Sequence, residues 1–274
     1  MLAVLQLCAT ADVRANLANA LAMVRRAAAN DARFICLPEA FDYIVDPQAP
    51  TSPQPERIDT GERTWEFKKL AKELGVWISL GGMHEKPVEE DGQGKHYNSH
   101  VVINALGDVC AVYRKIHLFD AQVDNGYKES NTTLPGRGEL QVVENTPVGT
   151  VGLTTCYDVR FPVIFQKLRD LGCDIILVPA AFAMTTGEAG HWHTLLRARA
   201  IENQVYIAAA AQVGSNHSSR ECFGHSLVVD PFGKVMVDLQ RNCNEIGYCP
   251  ISLPLVHSTR MLMPVQQHRH KAQY

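Results

Sequence analysis

Residues 149–162 read GTVGLTTCYDVRFP, and the fold turns on this stretch. Val151 and Leu153 alternate with small residues, the period-two pattern of a strand, and they deliver Cys156 to an abrupt change of character. Asp158 and Arg160 come next, and residues 161–171 then carry helical spacing. The pattern predicts a strand-to-helix elbow with a thiol at its tip. Such a turn exposes the sulfur, and the free N–H groups of the following helix favour its thiolate form. A thiol nucleophile also needs a proton acceptor and a cation to stabilise the anion it creates.

Working outward, short β-rich runs alternate with helical ones. LAVLQL (2–7), an alanine- and leucine-rich helix over 11–29 and FICLPE (34–39) form a strand–helix–strand opening. Four prolines in 47–55 mark a surface loop near the rim of the site. Residues 62–74 have helical spacing with Trp65, Leu70 and Leu74 near one face, and they lead into a strand over 76–80 closed by Gly81 and Gly82. The charged stretch 85–95 reads as a wet hairpin turn. HYNSHVVINALGDVCAVYRKI (96–116) reads as two strands joined by Leu106-Gly107-Asp108, with Lys115 at the exit. A loop over 120–138 precedes two strands around Thr146-Pro147, the second running into the elbow.

Beyond the elbow, CDIILVPAAF (173–182) is a near-continuous apolar run of the kind seen in strands buried on both faces. A loop, TTGEAG (185–190), and a helix over 191–204 come next. The runs 205–214, 225–239 and 245–251 complete the strands, with Asp230-Pro231-Phe232-Gly233 as a turn and strand character persisting to the end. No repeat or linker divides the chain, so a single domain over 1–274 is expected, with mixed sheets covered by helices as a four-layer sandwich.

Composition narrows the function. The chain has 274 residues, 46% of them hydrophobic, which is ample for a core, and a formal net charge of -3 gives no reason to expect nucleic acid or anionic lipid as a partner. The N-terminal segment lacks a basic region and a cleavage site, and no apolar run reaches the roughly 18 residues a membrane span needs. A soluble, cytoplasmic protein is expected. Eight cysteines without a CxxC pair do not read as a disulfide framework, and His191 and His193 lack a metal motif around them, so no metal is expected.

Two other strand ends offer partners for Cys156. Glu39 emerges after FICLP at the carboxyl edge of a strand, where sites in α/β folds gather, and Lys115 occupies the corresponding place after VYR. Alone, each reads equally as a surface charge. Together, LPEAFDYI (37–44), YRKIHLFD (113–120) and TTCYDVRFP (154–162) resemble the nitrilase superfamily of carbon-nitrogen hydrolases, and the resemblance runs from the first strand to GHSLVVDPFGKV (224–235).

The resemblance implies an α-β-β-α sandwich, no cofactor, and a catalytic set in which Glu39 is the general base, Lys115 the cation beside the oxyanion and Cys156 the nucleophile. Glu39, in a closed apolar pocket, is expected to have a raised proton affinity. Glu129 in YKES falls on the family's second glutamate, and the backbone N–H of Tyr157 on the second oxyanion donor. Tyr157 in place of Trp points to amides rather than nitriles. HLFD, YKESNTT, TTGEAGHW, LLRARAIENQ and MPVQQHRH are similar to the Nit branch of the superfamily, which implies hydrolysis of the terminal amide of an α-keto acid, with deaminated glutathione as substrate and ammonia released. Arg160 would then bind a substrate carboxylate, unless Asp158 or a glutamate pairs with it, and Phe182 and Thr186 would line the acyl pocket. Gly190 reads as an insertion that leaves the shape of its loop open. Arg197, Arg199 and Glu202 read as a structural helix face. An ω-amidase acting on α-ketoglutaramate, a non-catalytic scaffold and an oxidation-sensing thiol are the competing readings, and a homodimer or higher homo-oligomer is expected, with the helix after the elbow or helix 191–204 at the subunit contact.

Overall fold

The computed structural model describes residues 1–88, 94–122 and 128–271. Parts of the expected turn at 85–95 and of the loop at 120–138 therefore lie outside the described residues, as does Tyr127 of YKES.

The first half of the chain builds one sheet and its cover. Strand β1 (Leu2–Gln6) is buried throughout and sits between parallel β2 (Phe34–Cys36) and an antiparallel strand from the far end of the chain. Helix α1 (Val13–Ala29) starts at Asp12, whose carboxylate accepts the Ala15 N–H, and buries Asn16, Ala20, Met23, Val24 and Ala27 at helical spacing. Helix α2 (Glu62–Leu74) ends at Gly75, in the left-handed conformation that glycine tolerates. Its buried face is Arg63, Thr64, Phe67, Leu70 and Ala71, whereas Trp65 is exposed, contrary to the expected facing. Strands β3 (Trp77–Glu85), β4 (His96–Ile103) and β5 (Val109–Arg114) complete this part, the last two joined by the expected hairpin.

Strand β3 does not stop at Gly81 and Gly82; it bulges through them and continues. The reason is contact. A Cβ on Gly81 would lie 2.2 Å from the Leu37 carbonyl and 2.3 Å from Pro179 Cβ, and one on Gly82 would lie 2.2 Å from Asn98 Oδ1 and 3.1 Å from Glu39 Cγ. These glycines let three segments crowd together beside the site.

The two-residue β6 (Thr133–Leu134) joins β4, and the second half of the chain builds the other sheet. Its strands are β7 (Val142–Thr146), β8 (Gly149–Leu153), β9 (Ile175–Leu177), β10 (Tyr206–Ala209), β13 (Leu227–Val229) and β14 (Val235–Asp238). A small third sheet pairs β11 (Val213–His217) with β12 (Arg220–Phe223), strands that hydropathy alone does not separate. Strand β15 (Glu245–Cys249) returns to the first sheet. The orders in the two large sheets are β15-β1-β2-β3-β4-β5 and β14-β13-β10-β9-β8-β7.

Alternation assigns the faces. Ala3, Leu5, Ile35, Ile78 and Val101 belong to one buried cluster with Met23, Val24, Phe67 and Leu70 of α1 and α2. Leu2, Val4, Phe34 and Val102 belong to the other, with Val151, Leu153 and Ile175 of the second sheet and with α3 (Pro162–Asp170) and α5 (His191–Asn203). The layers are therefore helix, sheet, sheet and helix, as expected.

Two further expectations fail. TTGEAG is largely the short helix α4 (Met184–Glu188), and the chain ends in α6 (Leu253–Leu262) and α7 (Val265–Lys271) rather than in strands. The α6 start has a readable signal: Ser252 caps it by accepting the Leu255 N–H, and Pro254 occupies its first turn. Among the described residues no helix is long and apolar enough to cross a membrane.

Candidate active site

The site lies where the two sheets meet. Glu39 comes after β2 in the first sheet and Cys156 after β8 in the second, both at carboxyl ends of parallel strands, while Lys115 leaves β5. The Cys156 N–H donates to the Pro179 carbonyl at 2.9 Å, and Pro179 is the residue that Gly81 touches. Cys156 has φ 46°, a left-handed conformation unusual for a residue with a Cβ, so its thiol is held at a strained turn.

The elbow differs from expectation in detail. Cys156 begins a five-residue 3-10 turn, Cys156–Arg160, and α3 starts only at Pro162. Asp158 holds the turn together. Wholly buried, it accepts hydrogen bonds from Tyr113 Oη at 2.7 Å and the Thr155 N–H at 2.8 Å, and its other oxygen meets His117 Nδ1 at 2.7 Å. Asp158 is thus committed to Tyr113, Thr155 and His117 and does not pair with Arg160.

Four of the expected residues converge. Lys115 Nζ donates to Glu39 Oε1 at 3.0 Å and to Glu129 Oε2 at 2.8 Å and Oε1 at 3.1 Å. The Cys156 thiol neighbours the Glu39 carboxylate closely enough for each to shift the other's titration, and Glu39 Oε2 accepts the Ala181 N–H at 2.8 Å. Glu129 accepts the Phe119 N–H at 2.8 Å. Lys115 is 2% exposed and Cys156 8%, so the charges are removed from water and compensated by one another.

Asn98 is a participant that the sequence does not announce. Its Nδ2 donates to Glu39 Oε1 at 2.9 Å and to Glu129 Oε1 at 3.1 Å, bridging the two carboxylates. An asparagine inside a strand motif gives no sign of this; only the pairing of β4 with β3 and β5 places it there.

Protonation corrects two expectations. Burial raises the Glu39 pKa, but the Lys115 charge, the neighbouring Cys156 thiol and the hydrogen bonds from Lys115 and Ala181 outweigh it, so the carboxyl titrates below its ordinary range. Burial and the Glu39 charge push the Cys156 thiol well above its usual range despite Lys115. The resting site therefore pairs a thiol with a carboxylate rather than holding a free thiolate. Lys115 stays an ammonium, because Glu129 and Glu39 overcome the penalty of burial.

Arg160 is half-buried, sits 5.8 Å from the Tyr157 ring centre and 5.4 Å from that of Phe182, and places Nη1 3.2 Å from His191 Nδ1. Among the described residues no carboxylate pairs with it. A cavity of about 380 Å³ opens beside it, lined by Arg160, Ala189, Gly190, His191, Thr194 and Leu195. Tyr157 packs edge-on against Phe119 and Phe161. Thr186 lies in α4 with its hydroxyl 3.5 Å from the Ala183 carbonyl, and among the described residues no contact ties it to Cys156. Arg197 and Arg199 are structural: Arg197 Nε donates to the Gly233 carbonyl and Arg199 Nε to the Val159 carbonyl.

A buried thiol beside a directly paired carboxylate and ammonium, with a strained turn at the thiol, forms a set able to carry out acyl transfer. Known proteins agree with the fold and the motifs. The carbon-nitrogen hydrolase family profile matches residues 1–261. A deaminated glutathione amidase of Dictyostelium discoideum is 40% identical over 96% of this chain and 91% of its own length, and the Homo sapiens protein of the same name is 42% identical over 98% and 82%. The crystal structure of the C. elegans NitFhit protein superposes with a TM-score of 0.87 at 35% identity, covering 98% of this chain, which spans 64% of that longer protein. The chain belongs to the carbon-nitrogen hydrolase family.

Proposed function

We propose that the protein is a thiol-dependent amidase whose substrate is deaminated glutathione, acting through Cys156, Glu39, Lys115 and Glu129. The observation that carries the chemistry is Lys115 bridging the Glu39 and Glu129 carboxylates beside the buried Cys156 thiol. Relatives of that name, at 40% and 42% identity over nearly the whole chain, support the substrate.

In the first half-reaction the Cys156 sulfur attacks the amide carbon as its proton passes to Glu39. Because the thiol pKa is high, this transfer accompanies attack rather than preceding it. At rest Lys115 meets three carboxylate oxygens, two of them on Glu129, so giving up its longer 3.1 Å contact to Glu129 frees an N–H for the oxyanion; the Tyr157 N–H is the second donor. Collapse breaks the carbon–nitrogen bond and Glu39 returns the proton to the departing amine. A water then attacks the thioester, giving its proton to Glu39, and the acid leaves as the thiol is reprotonated.

The substrate's own chemistry refines the leaving group. Deaminated glutathione joins a five-carbon keto acid to cysteinylglycine, so the departing amine is that dipeptide; ammonia leaves only from a primary carboxamide such as α-ketoglutaramate. Arg160, unpaired with any described carboxylate and stacked over Phe182, is the partner we assign to the keto-acid carboxylate. Phe182 and Thr186 belong to the acyl pocket in this reading.

Assembly as a homodimer and residence in the cytoplasm belong to the same proposal. The exposed Val163 and Leu171 at the two ends of α3 and Ile201 on α5 support a subunit contact on that side. Side-by-side turnover of deaminated glutathione and α-ketoglutaramate tests the substrate. A clear preference for the former is expected, and equal or reversed preference overturns the assignment in favour of an ω-amidase.

A further inference from the structure

Away from Cys156, the fold assembles a second group of side chains from three elements. His193 lies in α5, His225 precedes β13, and Asp238 ends β14. His193 Nε2 is 2.9 Å from Asp238 Oδ2, and His225 Nδ1 is 2.9 Å from Asp238 Oδ1. One ligand atom from each residue lies within 4.8 Å of the other two. No metal motif surrounds His193 in the sequence, because its neighbours arrive from 32 and 45 residues away.

We propose that His193, His225 and Asp238 form a binding site for a divalent first-row transition ion of the zinc type. Two imidazoles and one carboxylate are the donor set such ions take when one position is left to water. A tetrahedral ion with bonds of about 2.0–2.1 Å separates its ligand atoms by roughly 3.3 Å. The present 2.9 Å contacts and the 4.8 Å limit reach that spacing by small ring rotations. To ligate, each ring presents a lone pair from the nitrogen that faces Asp238 and carries its N–H on the other nitrogen.

The surroundings are those of a supported ligand set. Asp238 Oδ1 also accepts the Gln240 N–H at 2.9 Å, fixing the carboxylate. His225 holds a left-handed φ of 55°, its carbonyl accepts Trp192 Nε1 at 2.8 Å, and its ring stacks on Phe223 at 4.4 Å. The three side chains are 31%, 19% and 27% exposed, so an ion and a water can reach them. Phe223 connects this cluster to the substrate side, since its N–H donates to the Phe182 carbonyl at 2.9 Å. A bound ion would brace that wall; it takes no part in the amide chemistry.

The test is cobalt(II) titration of the metal-free full-length protein, followed by calorimetry and absorption. Cobalt distinguishes the eight cysteines, because thiolate ligation adds a strong near-ultraviolet charge-transfer band that imidazole and carboxylate do not. One equivalent without that band is expected, weakened at least tenfold in His193→Gln and in Asp238→Asn. Absence of a cysteine-independent equivalent, or an affinity that both substitutions leave unchanged, overturns the proposal. Should a variant fail to fold, anomalous diffraction from cobalt-soaked wild-type crystals decides: an ion between His193 and His225 supports the site, and its absence there refutes it.

Discussion

Replacing Lys115 by methionine removes the charge at the centre of the site while nearly keeping its volume. Lys115 lies 3.0 Å from Glu39 and 2.8 Å from Glu129. At an effective dielectric constant of about 20, each contact is a gross attraction of roughly 6 kcal/mol. The net loss is smaller, because two buried carboxylates left together do not both remain ionised: one takes up a proton. Breaking a buried ion pair from one side costs about 3–5 kcal/mol, and that is the stability loss expected at pH 8.

The loss depends on pH with a definite sign. In the variant, the carboxylates' folded pKa values rise above the unfolded value of about 4.3, so the stability they retain is full below that pH and declines as pH rises through the folded values. In the parent, Glu39 is depressed, so its contribution is present above about 4.3 and disappears as pH falls through its lower folded value. The gap between the two proteins is therefore smallest near pH 5 and widens toward pH 8. Urea unfolding at both pH values measures it, and kcat should fall at least about 100-fold through the lost oxyanion donor. An equal gap at both pH values, or near-normal kcat, would refute the electrostatic account.

Three other substitutions probe the frame. Asp158→Asn keeps the shape but confronts the Tyr113, Thr155 and His117 donors with an amide; a loss of about 3 kcal/mol in thermal or urea unfolding is expected, since hydrogen bonds to charged groups contribute about 1.5–3 kcal/mol each. Gly82→Ala puts a Cβ 2.2 Å from Asn98 Oδ1, so kcat should fall markedly in a protein that still folds, and unchanged kcat would show that Asn98 does not hold the two carboxylates. Arg160→Ala should raise KM by about 10- to 100-fold, the equivalent of one charge-assisted contact, with kcat little changed; a fall in kcat at constant KM would place Arg160 in the chemistry instead.

Whatever is local in this site is legible in the sequence. Glu39, Lys115 and Cys156 each stand at the end of a recognisable strand, and a strand end in a mixed sheet is where side chains from different segments meet. Asn98 and Asp158 are not legible as site residues, because each works through partners that only the sheet register brings near: Asn98 through Glu39 and Glu129, Asp158 through Tyr113 and His117. The same limit explains the protonation errors. An elbow suggests a thiolate, and a closed pocket suggests a carboxyl of high pKa, but the outcome depends on the thiol and Glu39 lying next to one another beside Lys115. The expected end of β3 at Gly81 fails for a related reason, since those glycines answer to Leu37, Pro179 and Asn98 rather than to a turn.

The central claim is that Cys156 carries the acyl group while Glu39 moves the protons. Rapid-quench intact-mass analysis with deaminated glutathione tests it most directly. The account predicts a transient adduct, equal to the five-carbon keto acid less water, that localises to the peptide containing Cys156 and is absent from Cys156→Ala. An adduct on another cysteine, or turnover persisting in Cys156→Ala, would contradict it.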